Sequence, residues 1–432
     1  MNRKKILVLT SCLIFSLTTI FAQEKLQLSL ADAKAYALAY NRTLQGSSIA
    51  VQKAEAAKWQ AIASMLPHVD ATLNYANFLG YEMKLNIMGQ SFGSPVDPTG
   101  TLNATARIAF SGMQVVGVQL SNLAIDMSRL NKDISVLDVK ANVSTAYFSI
   151  LVAEESKKLL ENSRENLMQL HATTEKMYEV GMAEQIAVDQ LDVQVMLIEN
   201  ELQSLARNIE LAYNALRLVL GSNDAELVLT ETLDNFMANN NAYATVVSYF
   251  DINKDLNVQM LNQNIELNKK MLNLKRWEYA PTLAFFYQYS DIKYFGEEPM
   301  MKSTIPHTIG ASLNIPIFSS GERLSKVRQA KFDLQTAKIQ RADAIEGIQV
   351  QEKQLRFLLN SAIETYELQT KNLTVSERIF KNAVQKYELG VISSTDLTTI
   401  NNGLISAQSS YISALMNLLT AQTNLQKLLN QL

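Results

Sequence analysis

Two stretches of this chain, residues 99–280 and 317–432, contain no proline. Proline interrupts a helix interior at a cost of about 3 kcal/mol, so both stretches are free to form long helices. All seven prolines gather in two clusters: Pro67, Pro95 and Pro98, then Pro281, Pro299, Pro306 and Pro316. Average usage over 432 residues would give about 22 prolines and about 30 glycines, against 7 and 15 here, so long loops are scarce. With 47% apolar and 19% charged residues, the chain reads as neither disordered nor a polytopic helical membrane protein. A net charge of −3 with no basic block argues against nucleic acid as a partner.

Residues 1–22 read as a secretory signal peptide. Arg3, Lys4 and Lys5 form the positive start, Ile6 to Ile20 the apolar middle, and Ala22 the small residue before Gln23. The apolar part is shorter than the ~20 residues of a membrane helix, which favours cleavage over anchoring. Leu9, Thr10, Ser11 and Cys12 also resemble a lipobox, an alternative that makes Cys12 a lipidated N-terminus. Cleavage after Ala22 leaves no cysteine and moves the formal net charge from −3 to −6, so disulfides are not expected to hold this exported chain together. Beyond residue 22 no apolar run is expected to cross a membrane as a helix. A membrane-embedded part would then have to be β-structure.

The chain is written twice. Tyr178-Glu179-Val180-Gly181 recurs 209 residues later as Tyr387-Glu388-Leu389-Gly390, and the same offset links Gly112 to Gly321. Pro67 pairs with Pro281 at an offset of 214. After the first Tyr-Glu-x-Gly turn, a heptad stripe runs through Val188, Leu191, Val195, Ile198, Leu202, Leu205, Ile209, Ala212, Leu216 and Val219. Shifted by 209, it reads Leu397, Ile400, Leu404, Ala407, Tyr411, Ala414, Leu418, Ala421, Leu425 and Leu428, again apolar throughout. A spacing of 3.5 residues predicts supercoiled helices packing knobs into holes. Before each turn, one long helix is expected, at about 112–178 and 321–387, each about 100 Å in length. Return helices come next, at about 184–220 and 393–430.

The proline clusters have period two. Val69, Ala71, Leu73 and Tyr75 alternate with polar residues, as do Leu102, Ala104, Ala106, Ile108 and Phe110 with a largely polar set. Leu283, Phe285, Tyr287 and Tyr289, then Ile309, Ala311, Leu313, Ile315 and Ile317, repeat the pattern in the second copy. Strands are expected at about 68–79, 101–110, 282–294 and 307–318, with the length and dyad pattern of membrane β-barrel strands. Four strands cannot close a barrel, since the smallest single-chain barrels have eight. Subunits must therefore contribute jointly, and the arithmetic alone allows two, three or four copies. The organisation expected is a first repeat at 23–221, a linker at 222–250 that breaks the heptads, and a second repeat at 251–432.

This order of helix, two strands, long helix, turn and return helix, duplicated behind a signal peptide, resembles the TolC-like outer-membrane efflux protein family. The likeness includes Ala37, Asn41 and Leu44 in the first helix, Leu66-Pro67, the junction from Ile315 to Gly321, and the segment from Tyr387 to Asp396. The resemblance implies a mainly α fold with a membrane β-barrel portion: a homotrimer forming a twelve-stranded barrel and a long coiled-coil α-barrel tunnel. It implies an address in the cell outer membrane, among its lipid, with a long periplasmic extension. It also implies a periplasmic adaptor protein and an inner-membrane pump as partners, and a role as exit duct of a tripartite efflux or secretion system. The linker at 222–250 would match the family's equatorial belt. Both Tyr-Glu-x-Gly turns would lie at the periplasmic tip, with Tyr178, Gly181, Tyr387 and Gly390 shaping it. The family commonly has an aspartate six residues after the turn glycine. Asp396 holds that place in copy two, whereas copy one has Ala187, with Asp189 nearby, and a second acid known in some members is Thr399 here. A single Asp396 ring is thus the expected constriction, giving a weak cation preference. Pro67, Pro281, Gly112 and Gly321 are expected at the strand–helix junctions.

Other chemistry is not expected. His68, His171 and His307 lack a second ligand at useful spacing. The methionines are scattered, with Met83, Met88, Met300 and Met301 in expected surface loops, where flexible packing explains them better than metal transport. No phosphate loop, zinc spacing, nucleophile elbow or dinucleotide fingerprint is present. Neither an enzyme nor a cofactor is therefore expected. The alternative reading from another class is a periplasmic coiled-coil scaffold or adaptor.

Overall fold

A computed structural model describes residues 25–87, 90–222, 225–296 and 305–432. The signal peptide, Cys12, Met88, Met300 and Met301 lie outside the described residues. The chain divides into two compact units: Met1–Gly46 with Ile134–Asp255 and Gly347–Leu432, and Ser47–Asp133 with Leu256–Glu346. The fold is mainly helical.

In chain order the first unit opens with β1 (Lys25–Leu28) and α1 (Leu30–Tyr40). Helix α2 (Arg42–Ala63) leads to β2 (His68–Ala76), β3 (Glu82–Ile87), β4 (Gln90–Pro95) and β5 (Thr99–Phe110). The long helix α3 (Gly112–Glu179) turns into α4 (Gln185–Leu220). Then come β6 (Glu226–Leu229), α5 (Leu233–Asn239), α6 (Ala242–Val247) and α7 (Leu256–Trp277). The second copy ends with β7 (Thr282–Tyr294), β8 (His307–Asn314), the long α8 (Glu322–Glu388) and α9 (Ser394–Leu428).

In the first unit, the heptad stripes of α4 and α9 are buried or half-buried at every position. One core cluster joins Leu167 and Leu170 of α3, Leu191 and Ile198 of α4, Phe380 and Tyr387 of α8, and Leu397 and Leu404 of α9. Four helices thus share one seam. Farther from the turns, α3 becomes buried on nearly all sides, through Val139, Val143, Tyr147, Ile150 and Leu151. Leu28, Ala33 and Ala37 before it, and Leu216, Leu227 and Leu233 after it, belong to that same cluster. Contrary to the expectation from sequence, α3 does contain a stretch apolar enough to pass for a membrane span, half of it buried.

Within the expected linker at 222–250, the described residues from 225 onward are more structured than a linker. Strand β6 pairs in parallel with β1, setting Lys25 opposite Glu226 and Leu28 opposite Leu229, while α5 and α6 carry side-chain N-caps from Thr232 and Asn241. The α1–α2 break is fixed by one side chain. Asn41 Oδ1 accepts from the Thr43 and Leu44 amides at 2.8 and 3.2 Å, and its Nδ2 donates to Val219 O at 2.6 Å. Asn41 therefore caps α2 and satisfies a carbonyl at the end of α4, two duties that alanine cannot perform.

In the second unit, β2, β5, β7 and β8 form one antiparallel four-stranded sheet in that order. Registers such as Val69 with Ala106 and Ala106 with Tyr287 put the apolar alternates of all four strands on one face. The polar alternates, among them Asp70, Arg107, Gln288 and Ser312, share the other. Two strands are shorter than the alternation suggested. β2 stops at Ala76 because Asn77 Oδ1 accepts from the Leu79 amide at 2.9 Å, and Leu79 and Gly80 both take positive φ, an Asx turn that bends the chain away. β8 stops at Asn314 because Pro316 has no amide to donate, and its carbonyl is taken by Arg323 Nη1 at 2.7 Å. Residues 82–95, expected as loop, form a separate antiparallel hairpin of β3 and β4, so Met83 lies in a strand.

Replacing Asn41 by Ala should leave the Val219 carbonyl and the first amides of α2 without partners. Thermal unfolding monitored by circular dichroism should show a loss of about 1–3 kcal/mol; an unchanged midpoint would show that neither bond matters.

Candidate functional site

The two Tyr-Glu-x-Gly turns close by the same hydrogen bonds. In copy one, Gly181 N donates to Tyr178 O at 2.9 Å and Met182 N to Met177 O at 2.7 Å. In copy two, Gly390 N donates to Tyr387 O and Val391 N to Lys386 O, both at 2.8 Å. Each is a Schellman closure with glycine in the left-handed region, at φ 75° and 70°. A side chain there would strain the hairpin.

The helices that leave the two turns begin differently. Helix α9 opens with a reciprocal capping box: the Asp396 amide donates to Ser393 Oγ at 3.1 Å, and Ser393 N and Oγ donate to Asp396 Oδ2 at 3.2 and 2.7 Å. The Ser393 hydroxyl beside it holds the Asp396 carboxyl below the usual carboxylate range, so exposed Asp396 is ionised at neutral pH. Helix α4 has no such box; its N-cap Glu184 makes no side-chain capping bond, and the third helical residue is buried Ala187. Asp189 instead accepts from Gln185 Nε2 at 2.8 Å within its own helix.

The tyrosines also part company. Tyr178 is 44% exposed, whereas Tyr387 is 5% exposed. The Tyr387 hydroxyl lies 3.3 Å from Thr174 Oγ1, hydrogen-bonded across from α8 to α3. Thr174 Oγ1 is also 2.9 Å from Leu170 O of its own helix. Nearby, a groove of about 750 Å³ runs between α3 and α8, with Ser163, Gln169, Lys381, Gln385 and Gln408 in its walls. Ser163 and Gln408 bond to one another inside it.

A polar layer interrupts the four-helix core about two turns from the hairpins. Asn401 is 1% exposed, and neither atom of its amide has a hydrogen-bond partner. Gln190 Oε1 and Thr398 Oγ1 are also buried without partners. His171 Nε2 of α3 lies 2.9 Å from Asp192 Oδ1 of α4 but without hydrogen-bond geometry. Asn401 occupies in copy two the place that Asp192 holds in copy one, and Phe380 the place of His171. The duplicated pair is therefore lost, and the amide left over is stranded. An unpartnered buried polar group costs about 1–3 kcal/mol, so this layer opposes the apolar packing on either side of it. Among the described residues, no group of histidines and acids is arranged to hold a metal.

The strand–helix junctions are built from different parts. A Cβ on Gly112 would fall 2.2 Å from the Trp277 ring, so the start of α3 needs glycine to let that indole in. Gly321 has φ 84° in an open turn. Pro67 comes after a tightened helix end in which Leu66 N donates to Ala63 O, and Pro281 after one in which Ala280 N donates to Trp277 O. Gln114 Nε2 reaches from α3 to Ser64 O. Ser393 and Asp396 have the sequence spacing of a capping box, a readable signal. Thr174, Asn401 and Trp277 carry no sequence signal of their role, which arises only from what they meet.

The chain matches the family described as Outer membrane efflux protein over residues 35–222 and 255–431. No curated protein sequence matches it. Among solved structures, CusC aligns with a TM-score of 0.76 at 15% identity, covering 93% of this chain and 91% of that one. The Campylobacter jejuni CmeC outer membrane channel aligns with a TM-score of 0.72 at 16% identity, covering 93% and 85%. The Vibrio cholerae outer membrane protein VceC gives 0.72 at 14% identity, covering 93% and 95%. At such identities the structures speak for the fold, and the match along both repeats supplies the family: the chain belongs to the outer membrane efflux proteins.

Proposed function

We propose that this protein is the outer-membrane exit duct of a tripartite efflux or secretion system. It conducts substrates passively from an inner-membrane pump, through a periplasmic adaptor, across the periplasm and outer membrane. The observation that carries this reading is the open four-stranded sheet, largely apolar on one face and more polar on the other, with β2 and β8 as free edges. Free edges in lipid would leave a row of unpaired amides and carbonyls, which hydrocarbon does not tolerate. A homotrimer removes them by joining β8 of one chain to β2 of the next, giving twelve strands with the apolar face toward lipid and the polar face toward water. The two repeats, 23–221 and 251–432, with 222–250 as a belt, then supply the tunnel wall. A periplasmic scaffold would leave the apolar sheet face without a purpose.

The hairpin ends act as the gate in this reading. The Thr174–Tyr387 bond ties one hairpin to the other at rest, and the polar layer around Asn401 lowers the cost of parting them when an adaptor engages the turns. Three Asp396 carboxylates at the tip repel one another and attract cations.

Three measurements test this. Cysteine scanning along β2 and β8, beginning with Thr72→Cys paired with Ser312→Cys, should yield oxidised trimers in outer-membrane fractions; monomers at every register would sink the barrel. Asn401→Leu removes the stranded amide and should raise resistance to guanidinium by about 1–3 kcal/mol, while lowering efflux in a susceptibility assay; stability without an efflux defect would remove the layer from gating. In planar bilayers, Asp396→Ala should reduce cation over anion selectivity, and unchanged selectivity would refute the ring.

A further inference from the structure

At the end of α7, Asn273, Arg276, Trp277, Tyr279 and Ala280 line a cavity of about 380 Å³ that the conducting role does not use. Its walls are aromatic: Trp277 is 46% exposed and Tyr279 47%. The indole is anchored on one side by its packing against Gly112. The Tyr279 ring is backed by the Arg323 guanidinium, 5.0 Å from its centre, and that guanidinium is itself engaged with Ser319 Oγ and Pro316 O. Both rings are thus held in place while exposing much of their surface.

The charges nearby are unevenly satisfied. Lys275 and Lys326 meet Glu278 at 2.8 and 3.4 Å, and Lys326 also meets Glu322 at 2.8 Å, so two ammonium groups and two carboxylates balance. Arg276 stands outside this network. Its Nη1 donates to Asn273 Oδ1 at 3.2 Å, and among the described residues it meets no carboxylate. Guanidinium donors therefore remain for an anion, at a spot with local positive excess.

The level of the cavity is set by the strand beside it. Thr282 starts β7 only a few residues beyond Trp277, and Leu283 and Phe285 open its apolar face, with Phe110 edge-on to Phe285. The cavity adjoins one margin of the apolar band, where tryptophan and tyrosine sit at a membrane–water boundary and basic side chains meet anionic head groups. Resting on the outer-membrane function proposed for the chain, we propose that Asn273, Arg276, Trp277 and Tyr279 bind the head-group phosphate of a glycerophospholipid in the periplasmic leaflet. Arg276 and the Asn273 amide take the phosphate, and the rings cover the glycerol and first methylenes. The lipid then acts as a wedge that fixes the strand-to-helix corner at membrane level.

Trp59 and Trp277 are the two tryptophans of the chain, so Trp59→Phe leaves Trp277 as a single reporter. The full-length trimer in detergent would be titrated with phosphatidylglycerol carrying a nitroxide on its head group, and Trp277 quenching recorded. Half-saturation should move to about tenfold more lipid in Arg276→Gln, the effect of losing a charge-assisted hydrogen bond, and Arg276→Lys should recover part of it. Excess inorganic phosphate should leave the quenching in place. Equal titrations for both proteins would overturn the site, and displacement by inorganic phosphate would assign it to free anions instead. Trimer bands on unheated gels and outer-membrane fractionation report separately on the channel function, which survives if only the quenching fails.

Discussion

Everything in this chain depends on a seam that repeats every 3.5 residues. Long helices satisfy their own backbone hydrogen bonds, so they need from their neighbours only a continuous strip of side chains to bury. The twenty stripe positions of α4 and α9 provide it without a break. α3 and α8, whose apolar side chains would face water in isolation, are held by that strip along the segments where the return helices run beside them. The hairpin turns set its phase: a Schellman closure with glycine at positive φ sends each helix back in register, and the same bonds recur 209 residues apart.

Period and punctuation account for the features that were legible in the sequence. The duplication, the helical stretches and the strand alternation are all local or regularly spaced signals, and Tyr387, Gly181, Gly390 and the proline junctions could be located from them. The features that were not legible depend on partners far along the chain. The pairing of β1 with β6 joins segments about two hundred residues apart, and neither four-residue strand has a pattern of its own. The β3–β4 hairpin was hidden by a run of glycine, serine and proline that reads as loop. Strand ends at Ala76 and Asn314 were overrun because alternation continued beyond the point where an Asx turn and a proline ended the pairing.

The site shows the same division. Asp396 is readable from its place after the second Tyr-Glu-x-Gly turn, and its spacing from Ser393 explains the capping box that holds it at the start of α9. Tyr178 and Tyr387 look identical in sequence, yet one is open to water and the other bonds to Thr174, because the two copies have drifted in what surrounds them. Asn401 is the clearest case: where copy one has the pair His171 and Asp192, copy two has phenylalanine and an amide. The two repeats have thereby come to differ in the side chains that meet around each turn.

The two free edges of the sheet have a consequence for how the molecule comes into being. β2 and β8 are unlike strands, so in the trimer proposed above one copy offers β8 to another's β2, a head-to-tail contact that ends only when a ring closes. Such a contact has no stable half-way state in lipid, since every open chain of subunits still carries one edge of each kind. On that proposal, formation of the membrane part is a concentration-dependent event, and its persistence belongs to the ring as a whole. A mutation that weakens one edge acts at every joint of the ring at once.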